Sequence, residues 1–190
     1  MKIRVLFLSL AFVVIPSLAQ AADYKVLATS KTSTMQKEMN ESAAAGFQFE
    51  SAMGGKTSDG KEVVVIMSKE PKLAPRRMEY RLLATSKTST MQKEMQQAGD
   101  AGFRYKAQTV FESAFGGEEV VVILEKDKDA PARRFEYRLL ATTRTATMEK
   151  ELQQAAAAGF EFVGMAVGKT AFGGDEVVTI VRKELALAER

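Results

Sequence analysis

The pattern of hydrophobic and polar positions repeats three times along this chain. Each copy opens with a short alternating segment that predicts a β-strand. A stripe of apolar residues at steps of four follows and predicts a helix, as in Met35, Met39, Ala43 and Phe47. A glycine before phenylalanine then ends the helix, and an extended segment, a glycine-containing hairpin and a valine-rich strand complete the copy. Each copy is therefore predicted to be a β-α-β-β unit.

The repetition defines the domain organisation. Proline-marked, charged segments separate the copies and are typical of short linkers. The predicted boundaries are 1–21 for a signal peptide, 22–71, 80–127 and 137–190 for repeats 1, 2 and 3, and 72–79 and 128–136 for the linkers. A unit of about 50 residues buries little surface alone. We therefore expect an α+β fold of three tandem β-α-β-β repeats, with about nine strands and three helices packed into one pseudo-symmetric domain. Three separate units are the alternative.

The order of strands within a repeat follows from its connections. The helix crossover makes the first two strands parallel, and the hairpin partner fills the gap between them. The expected order is 1-3-2 with antiparallel neighbours. The valine-rich strand, as in 63–66, then lies in the middle and is the most apolar strand.

The first residues predict export. Lys2 and Arg4 precede an apolar run at 5–15, and Ala19-Gln-Ala21 is typical of a signal-peptidase site. We expect cleavage after Ala21 and a periplasmic or secreted protein with no membrane span in the mature chain. A retained N-terminal anchor is the alternative, but the run is short for a span.

The amino-acid composition excludes several classes of catalytic and metal-binding site. The chain contains neither cysteine nor histidine, so thiol and imidazole nucleophiles and the common transition-metal ligands are absent. Loss of Lys2 and Arg4 with the signal peptide reduces the formal net charge from +3 to +1, and lysines alternate with glutamates. We expect no nucleic-acid binding. The acidic pair Glu118-Glu119 beside a hairpin is typical of solvated surface, and no cofactor or enzymatic activity is expected.

A hydroxyl-rich turn precedes each helix and is the main candidate site. The stretch LATSKTSTMQKEM occupies 27–39 and 83–95, and a near-copy fills 140–152. Cations and hydroxyls at a helix start suit a phosphate, sulfate or carboxylate. The candidate residues are Lys31, Thr32, Lys87, Thr88, Arg144 and Thr145. The favoured interpretation is that Ser or Thr merely caps each helix. A shared anion site requires a threefold arrangement that brings the three cations to one axis.

Two other motifs favour structural interpretations. Gly-Lys-Thr at 55–57 and 168–170 lacks the earlier glycine of a P-loop and lies between strands, so it is rejected as a nucleotide site. Met35 with Met39 suits exported copper binding, but the third copy has Leu152 at the second position. We therefore expect these methionines in the core.

One family shares this order of motifs. Each copy reads Tyr-[Lys/Arg]-[Val/Leu]-Leu, then a helix ending in Ala-Gly-Phe, then a Gly-Gly turn and a valine-rich strand closing in lysine or arginine. This resembles the small bacterial family called domain of unknown function four-one-seven-seven, with residues 159–163 (Gly-Phe-Glu-Phe-Val) the best match. All three copies have Phe where the family usually has Trp. The resemblance implies a β-α-β-β fold and carries no activity or catalytic residue.

These observations lead to three functional hypotheses. The first is an exported, non-enzymatic cell-envelope protein that is structural or binds a protein partner through its sheets. The alternative is a binder of small anions or ligands at the threonine-rich turns. A hydrolase-like enzyme is a remote third class. The partner itself is unknown.

Overall fold

The computed structural model describes residues 21–71, 76–112, 118–169 and 175–186, and these form three sheets and three helices. Repeat 1 contains β1 Asp23–Thr29, α1 Thr32–Ala44, β2 Gln48–Thr57 and β3 Gly60–Lys69. Repeat 2 contains β4 Met78–Thr85, α2 Thr88–Asp100, β5 Arg104–Glu112 and β6 Glu118–Asp127. Repeat 3 contains β7 Arg134–Thr142, α3 Thr145–Ala157, β8 Glu161–Lys169 and β9 Asp175–Leu185. The predicted α+β class is confirmed, with three β-α-β-β repeats in the described residues.

Each repeat forms its own three-stranded sheet. The strand orders are β1-β3-β2, β4-β6-β5 and β7-β9-β8, and every neighbouring pair is antiparallel. The predicted 1-3-2 order is therefore confirmed, and the valine-rich strand is central in each sheet. A central strand has no free edge, which explains why this is the most apolar strand of each repeat.

The helices end as their sequences predict. Gly46 has a φ of +91°, a conformation that glycine adopts without strain, and it closes α1. The N–H of Phe47 donates to the carbonyl of Ser42, and the N–H of Gly46 to that of Ala43, which is a Schellman motif. The ammonium of Lys69 adds a bond of 2.9 Å to the Ala45 carbonyl. Repeats 2 and 3 have the same arrangement, which explains the lysine near the end of each last strand.

The repeats stack in layers, and each of the first two helices packs its apolar side against its own sheet and the sheet of the next repeat. One apolar cluster joins Met35 and Met39 of α1 both to β3 and to Tyr80 and Ile123 of repeat 2. A second cluster joins α2 in the same way to its own sheet and to sheet 3. A third, with only Ala155, Phe160 and Val181 fully buried, lies under α3. Neighbouring repeats therefore share a core, and no such cluster in the described residues joins repeat 1 to repeat 3.

Several sequence interpretations can be placed on this architecture. Met35 and Met39 are fully buried among apolar side chains, as expected for core residues. The segment at 55–57 lies at the end of β2, away from any helix start. Strands β4 and β7 begin inside the segments assigned to linkers. Residues 1–20 of the predicted signal peptide and the glycine pairs 116–117 and 173–174 lie outside the described residues. Among the described residues, the helices are too short or too polar to cross a membrane.

Gly99 allows a close approach between α2 of repeat 2 and β7 of repeat 3. A methyl group placed there would lie 2.3 Å from the carbonyl oxygen of Phe135 and 2.9 Å from a ring carbon of Tyr137. Strand β7 would have to move away from α2 to make room. Glycine at this buried helical position thus serves the packing of repeat 3 on repeat 2.

We expect Gly99→Ala to lower the free energy of unfolding by about 1–3 kcal/mol, because overpacking outweighs the gain in helix propensity. Urea unfolding followed by circular dichroism measures the change. The matched control is Gly55→Ala, since a methyl group there meets only the end of the flexible Met53 side chain, at 3.8 Å. Equal stability of the Gly99 variant and the wild type would show that β7 shifts without cost.

Candidate functional site

The threonine-rich turns are built alike, and the residue at each helix N-cap is a cation. Lys31 has extended backbone angles (φ −126°, ψ 118°), and Lys87 and Arg144 are similar. None of the three helices has a side-chain hydrogen bond at its N-cap. The expectation that Ser or Thr caps the helix is therefore wrong in this form, because lysine and arginine side chains have no acceptor to offer.

A threonine hydroxyl two residues before each N-cap accepts the backbone N–H of the N-cap residue. The Thr29 hydroxyl accepts the N–H of Lys31 at 3.2 Å. Thr85 and Thr142 make the equivalent bonds at 3.1 Å. These are the Ser/Thr turns that compete with regular structure and here separate strand from helix. The repeated stretch thus encodes a strand-to-helix turn.

The six candidate residues lie in three different repeats, one pair at the start of each helix. Lys31, Lys87 and Arg144 are exposed, one in each layer, and their side chains make no hydrogen bond or ion pair with the part of the chain that the structure describes. The threefold arrangement required for a shared anion site is absent, because the repeats form a stack with two open ends. Thr32 and Thr145 begin α1 and α3.

Thr88 has a role that the sequence did not indicate. Its hydroxyl donates to the carboxylate of Glu176 at 2.6 Å. Glu176 belongs to β9, so this bond joins the start of α2 to the sheet of repeat 3. The threonine-rich turn therefore contributes to the contact between repeats.

Polar side chains form an extended set of hydrogen bonds at the joint between consecutive repeats. The Asn40 side chain accepts the N–H of Tyr80 at 2.8 Å and donates to its carbonyl at 2.9 Å. The Gln36 side chain accepts the N–H of Leu82 at 2.8 Å. These backbone groups lie on the free edge of β4, and an uncovered edge invites pairing with another chain. Helix α1 therefore covers the edge of the following sheet with amide side chains.

The joint between repeats 2 and 3 uses the same positions. The Gln96 side chain accepts the N–H of Tyr137 at 3.0 Å, and the Gln92 side chain accepts that of Leu139 at 2.8 Å and donates to the Tyr137 carbonyl at 2.8 Å. An ion pair between Arg134 and Asp100, at 2.8 Å, adds to this joint.

A tyrosine hydroxyl completes each joint at a β-bulge. Strand β2 has a bulge after Phe49, whose N–H donates to the Tyr80 hydroxyl at 2.8 Å. Strand β5 has the same bulge after Tyr105, whose N–H donates to the Tyr137 hydroxyl at 2.6 Å. A bulge leaves a backbone group without a ladder partner. The tyrosine of the next repeat supplies that partner.

Burial of these tyrosines changes their acidity. Removal from water raises the pKa of Tyr80 to about 12, and the nearby carboxylates of Glu125 and Glu50 act in the same direction. Burial also raises the pKa of Tyr137 to about 12, against the opposing effect of Arg182. Both rings are therefore held neutral in the folded protein well above the usual tyrosine pKa.

Two further charged pairs near the joints each lie within one sheet. Glu125 is buried and accepts two bonds from Arg104, at 2.6 and 2.9 Å. Repeat 3 has the reversed pair, Arg182 with Glu161. These pairs lie side by side on neighbouring strands, which favours a structural role.

One end of the stack exposes apolar residues whose counterparts are buried. Tyr24 is 66% exposed, whereas the equivalent Tyr80 and Tyr137 are 2% and 1% exposed. We call this outer side of the first sheet the head face. It consists of Tyr24, Val26, Met53 and Ile66. The register of β1 with β3 matches that of β4 with β6, so the Tyr24 backbone groups also lie on a free edge.

The other end exposes the surface that receives such a face elsewhere in the chain. Phe162 on β8 is 57% exposed, whereas its counterpart Phe49 is buried. Glu149 and Gln153 of α3 are exposed where Gln92 and Gln96 hold the next strand. We call this surface the tail face. It consists of Glu149, Leu152, Gln153, Phe162 and Met165.

The joint residues were visible in the sequence but their role was not. Alternation placed Tyr24 and Val26 on one face of their strand, and the amide pair recurs four residues apart in α1 and α2. Amides on a helix surface are ordinary solvated residues unless a strand edge lies beside them. Only the stacking of the repeats shows that they bind backbone.

Comparisons of the chain with models of known protein families, with curated proteins and with solved structures found no match. The resemblance to the small bacterial β-α-β-β family therefore stays a prediction.

Proposed function

We propose that this protein is a non-enzymatic component of the cell envelope that acts by binding a protein partner through the ends of its stack. The head face carries the proposal. Its residues occupy positions that pack against the preceding repeat in repeats 2 and 3, yet they are exposed here. Contiguous apolar surface rimmed by polar groups is typical of interaction sites.

The form of the exposed surface favours a protein as the partner. A free strand edge at Tyr24 offers backbone N–H and C=O groups beside apolar side chains. A protein segment satisfies both kinds of group at once, by backbone or amide bonds along the edge and by packing on the face. A small anion satisfies neither.

The N-terminal sequence supports the proposed location of the protein in the cell envelope. The basic start, the apolar run and the small residues before Ala22 are those of an exported precursor. Cleavage after Ala21 leaves the new N-terminus two residues before Tyr24, at the border of the head face. Absence of cysteine and histidine from the chain supports a binding role over catalysis by thiol or imidazole.

Site-specific photo-crosslinking in the native envelope tests this function. A benzophenone amino acid at Val26 or Phe162 is expected to give discrete crosslinked products, whose components are identified by mass spectrometry. The matched control is the same amino acid at Lys37, an exposed residue on α1. Absence of crosslinks at both faces, or equal crosslinking at Lys37, would contradict the proposal.

A further inference from the structure

The two ends of the stack are complementary halves of one joint. The head face carries Tyr24 where the later repeats carry Tyr80 and Tyr137, and the tail face carries the helix and bulged strand that receive such a tyrosine. We infer that the tail face of one molecule binds the head face of a second copy of this chain, in the geometry that joins consecutive repeats. This inference rests on the proposed function and identifies the protein partner as a second copy of this chain.

The polar groups of the two faces match. Gln153 corresponds to Asn40 and Gln96, whose side-chain oxygens accept the N–H of a tyrosine in the next repeat. In the joint between molecules it accepts the N–H of Tyr24. Both groups are otherwise exposed to water, so the bond replaces two bonds to solvent and leaves nothing unsatisfied.

Glutamate at position 149 preserves the accepting half of the second polar contact but cannot donate to a backbone carbonyl as Gln92 does. Gln36 and Gln92 each accept a backbone N–H through the side-chain oxygen. The carboxylate of Glu149 accepts the N–H of Val26 equally well, since a carboxylate has only acceptors. A charged acceptor also makes a stronger bond than a neutral amide.

The apolar surfaces match as well. Val26 and Ile66 correspond to Leu82 and Ile123, which pack on the preceding repeat. The bulge of β8 follows Phe162, as the bulge of β2 follows Phe49. In the joint between molecules, the N–H of Phe162 therefore meets the hydroxyl of Tyr24. Six of the seven large apolar side chains found exposed in the described residues lie on the two faces. They are Tyr24, Val26, Met53, Ile66, Phe162 and Met165.

The steric requirement of the joint is met too. The backbone carbonyl of Phe135 and the ring of Tyr137 lie so close to α2 that a methyl group at position 99 forces them to shift. The joint between repeats 1 and 2 has the methionine Met78 and tolerates alanine at the equivalent helical position. Ala156 of α3 corresponds to Ala43, so the joint between molecules has the same helical residue as the joint between repeats 1 and 2.

Two features make the joint between molecules weaker than the internal joints. Ala22 buries less apolar surface than Met78 or Phe135, and no linker raises the local concentration of the partner face. The contact is heterologous, since each molecule uses a different face at each end. Such contacts generate filaments, or rings where the rotation closes. Assembly therefore grows with protein concentration.

Sedimentation velocity of the processed protein, purified from cells that export it, tests the inference between about 1 μM and 1 mM. The wild type is expected to form a series of oligomers that lengthens with concentration. Val26→Lys in the head face and Phe162→Asp in the tail face each lower the association constant by at least about 30-fold, as hot-spot residues do. Both positions are exposed, so the monomers stay folded.

Mixing the two variants gives the decisive result. Each variant retains one intact face, so the equimolar mixture is expected to form a one-to-one dimer and nothing larger. Tyr24→Phe removes only the hydroxyl and is expected to weaken association of an otherwise wild-type chain by about two- to tenfold. Arg144→Ala, at an exposed turn outside both faces, is the control that assembles like the wild type.

The possible results distinguish failure of self-assembly from failure of the proposed binding function. A wild type that stays monomeric throughout, variants that still associate alone, or a mixture that does not dimerise each overturn self-assembly. If crosslinks from Val26 then lead to a different protein, the proposed function stands without self-assembly. If neither face gives a crosslink, both fail.

Discussion

Tyr80→Ala and Tyr137→Ala will each lower the free energy of unfolding by about 3–5 kcal/mol, the range for removing a large buried aromatic side chain. Each ring is nearly inaccessible and fills the space between a helix and the following sheet. Each hydroxyl also satisfies a bulge N–H, which is left without a partner in the variant. The loss therefore combines a cavity with an unsatisfied buried donor.

Tyr24→Ala is the matched control for these substitutions. The residue type, strand position and register are the same, but the ring is exposed. Measured by urea unfolding of dilute, monomeric protein, its effect is expected to stay within about 0.5 kcal/mol. A large loss for Tyr24→Ala, or a small one for Tyr80→Ala, would contradict the stacked arrangement.

Raising the pH from 9 to 12 will remove about 2 kcal/mol of stability for each of Tyr80 and Tyr137. Burial raises the pKa of each from the usual tyrosine value of 10.0 to about 12. The unfolded chain therefore loses these protons first, and the stabilisation present below pH 10 is lost as the pH rises through 12. The difference between the pKa of each tyrosine in the folded and the unfolded chain corresponds to about 2.7 kcal/mol.

Urea unfolding at pH 9 and at pH 12 measures this loss, and tyrosinate absorbance follows the ionisation in a chain that has no tryptophan. Tyr80→Phe and Tyr137→Phe are the controls, because each removes one ionisable group and keeps the ring. Each is less stable at neutral pH, but its difference between pH 9 and pH 12 is expected to shrink by about 2 kcal/mol. An unchanged difference would assign the alkaline loss to other groups.

The order of elements and the strand topology were predictable because their causes are local. The glycine at position 46 closes a helix whatever surrounds it, since a left-handed conformation and a following phenylalanine suffice. The 1-3-2 order follows from one crossover and one hairpin within each repeat. Neither requires knowledge of where the other repeats lie.

The candidate site was predicted less well. The cations Lys31, Lys87 and Arg144 were correctly placed at the helix starts, but they occupy the cap position, and the hydroxyl that bonds to each turn lies two residues earlier. Their gathering around one axis depended on a threefold arrangement. Local sequence does not distinguish that arrangement from a stack, because the same faces are apolar in both.

The sequence by itself determined that this chain is three copies of one β-α-β-β unit, where each helix begins and ends, and which strand is central. Only the tertiary structure decided which of the equivalent residues are buried and which are exposed. A tyrosine in the first strand of each copy is 66% exposed in repeat 1 and nearly inaccessible in repeats 2 and 3. The physical reason is that this tyrosine is buried only where the helix of the preceding repeat packs on it. Helices α1 and α2 cover the sheets of repeats 2 and 3, whereas no described helix covers the first sheet.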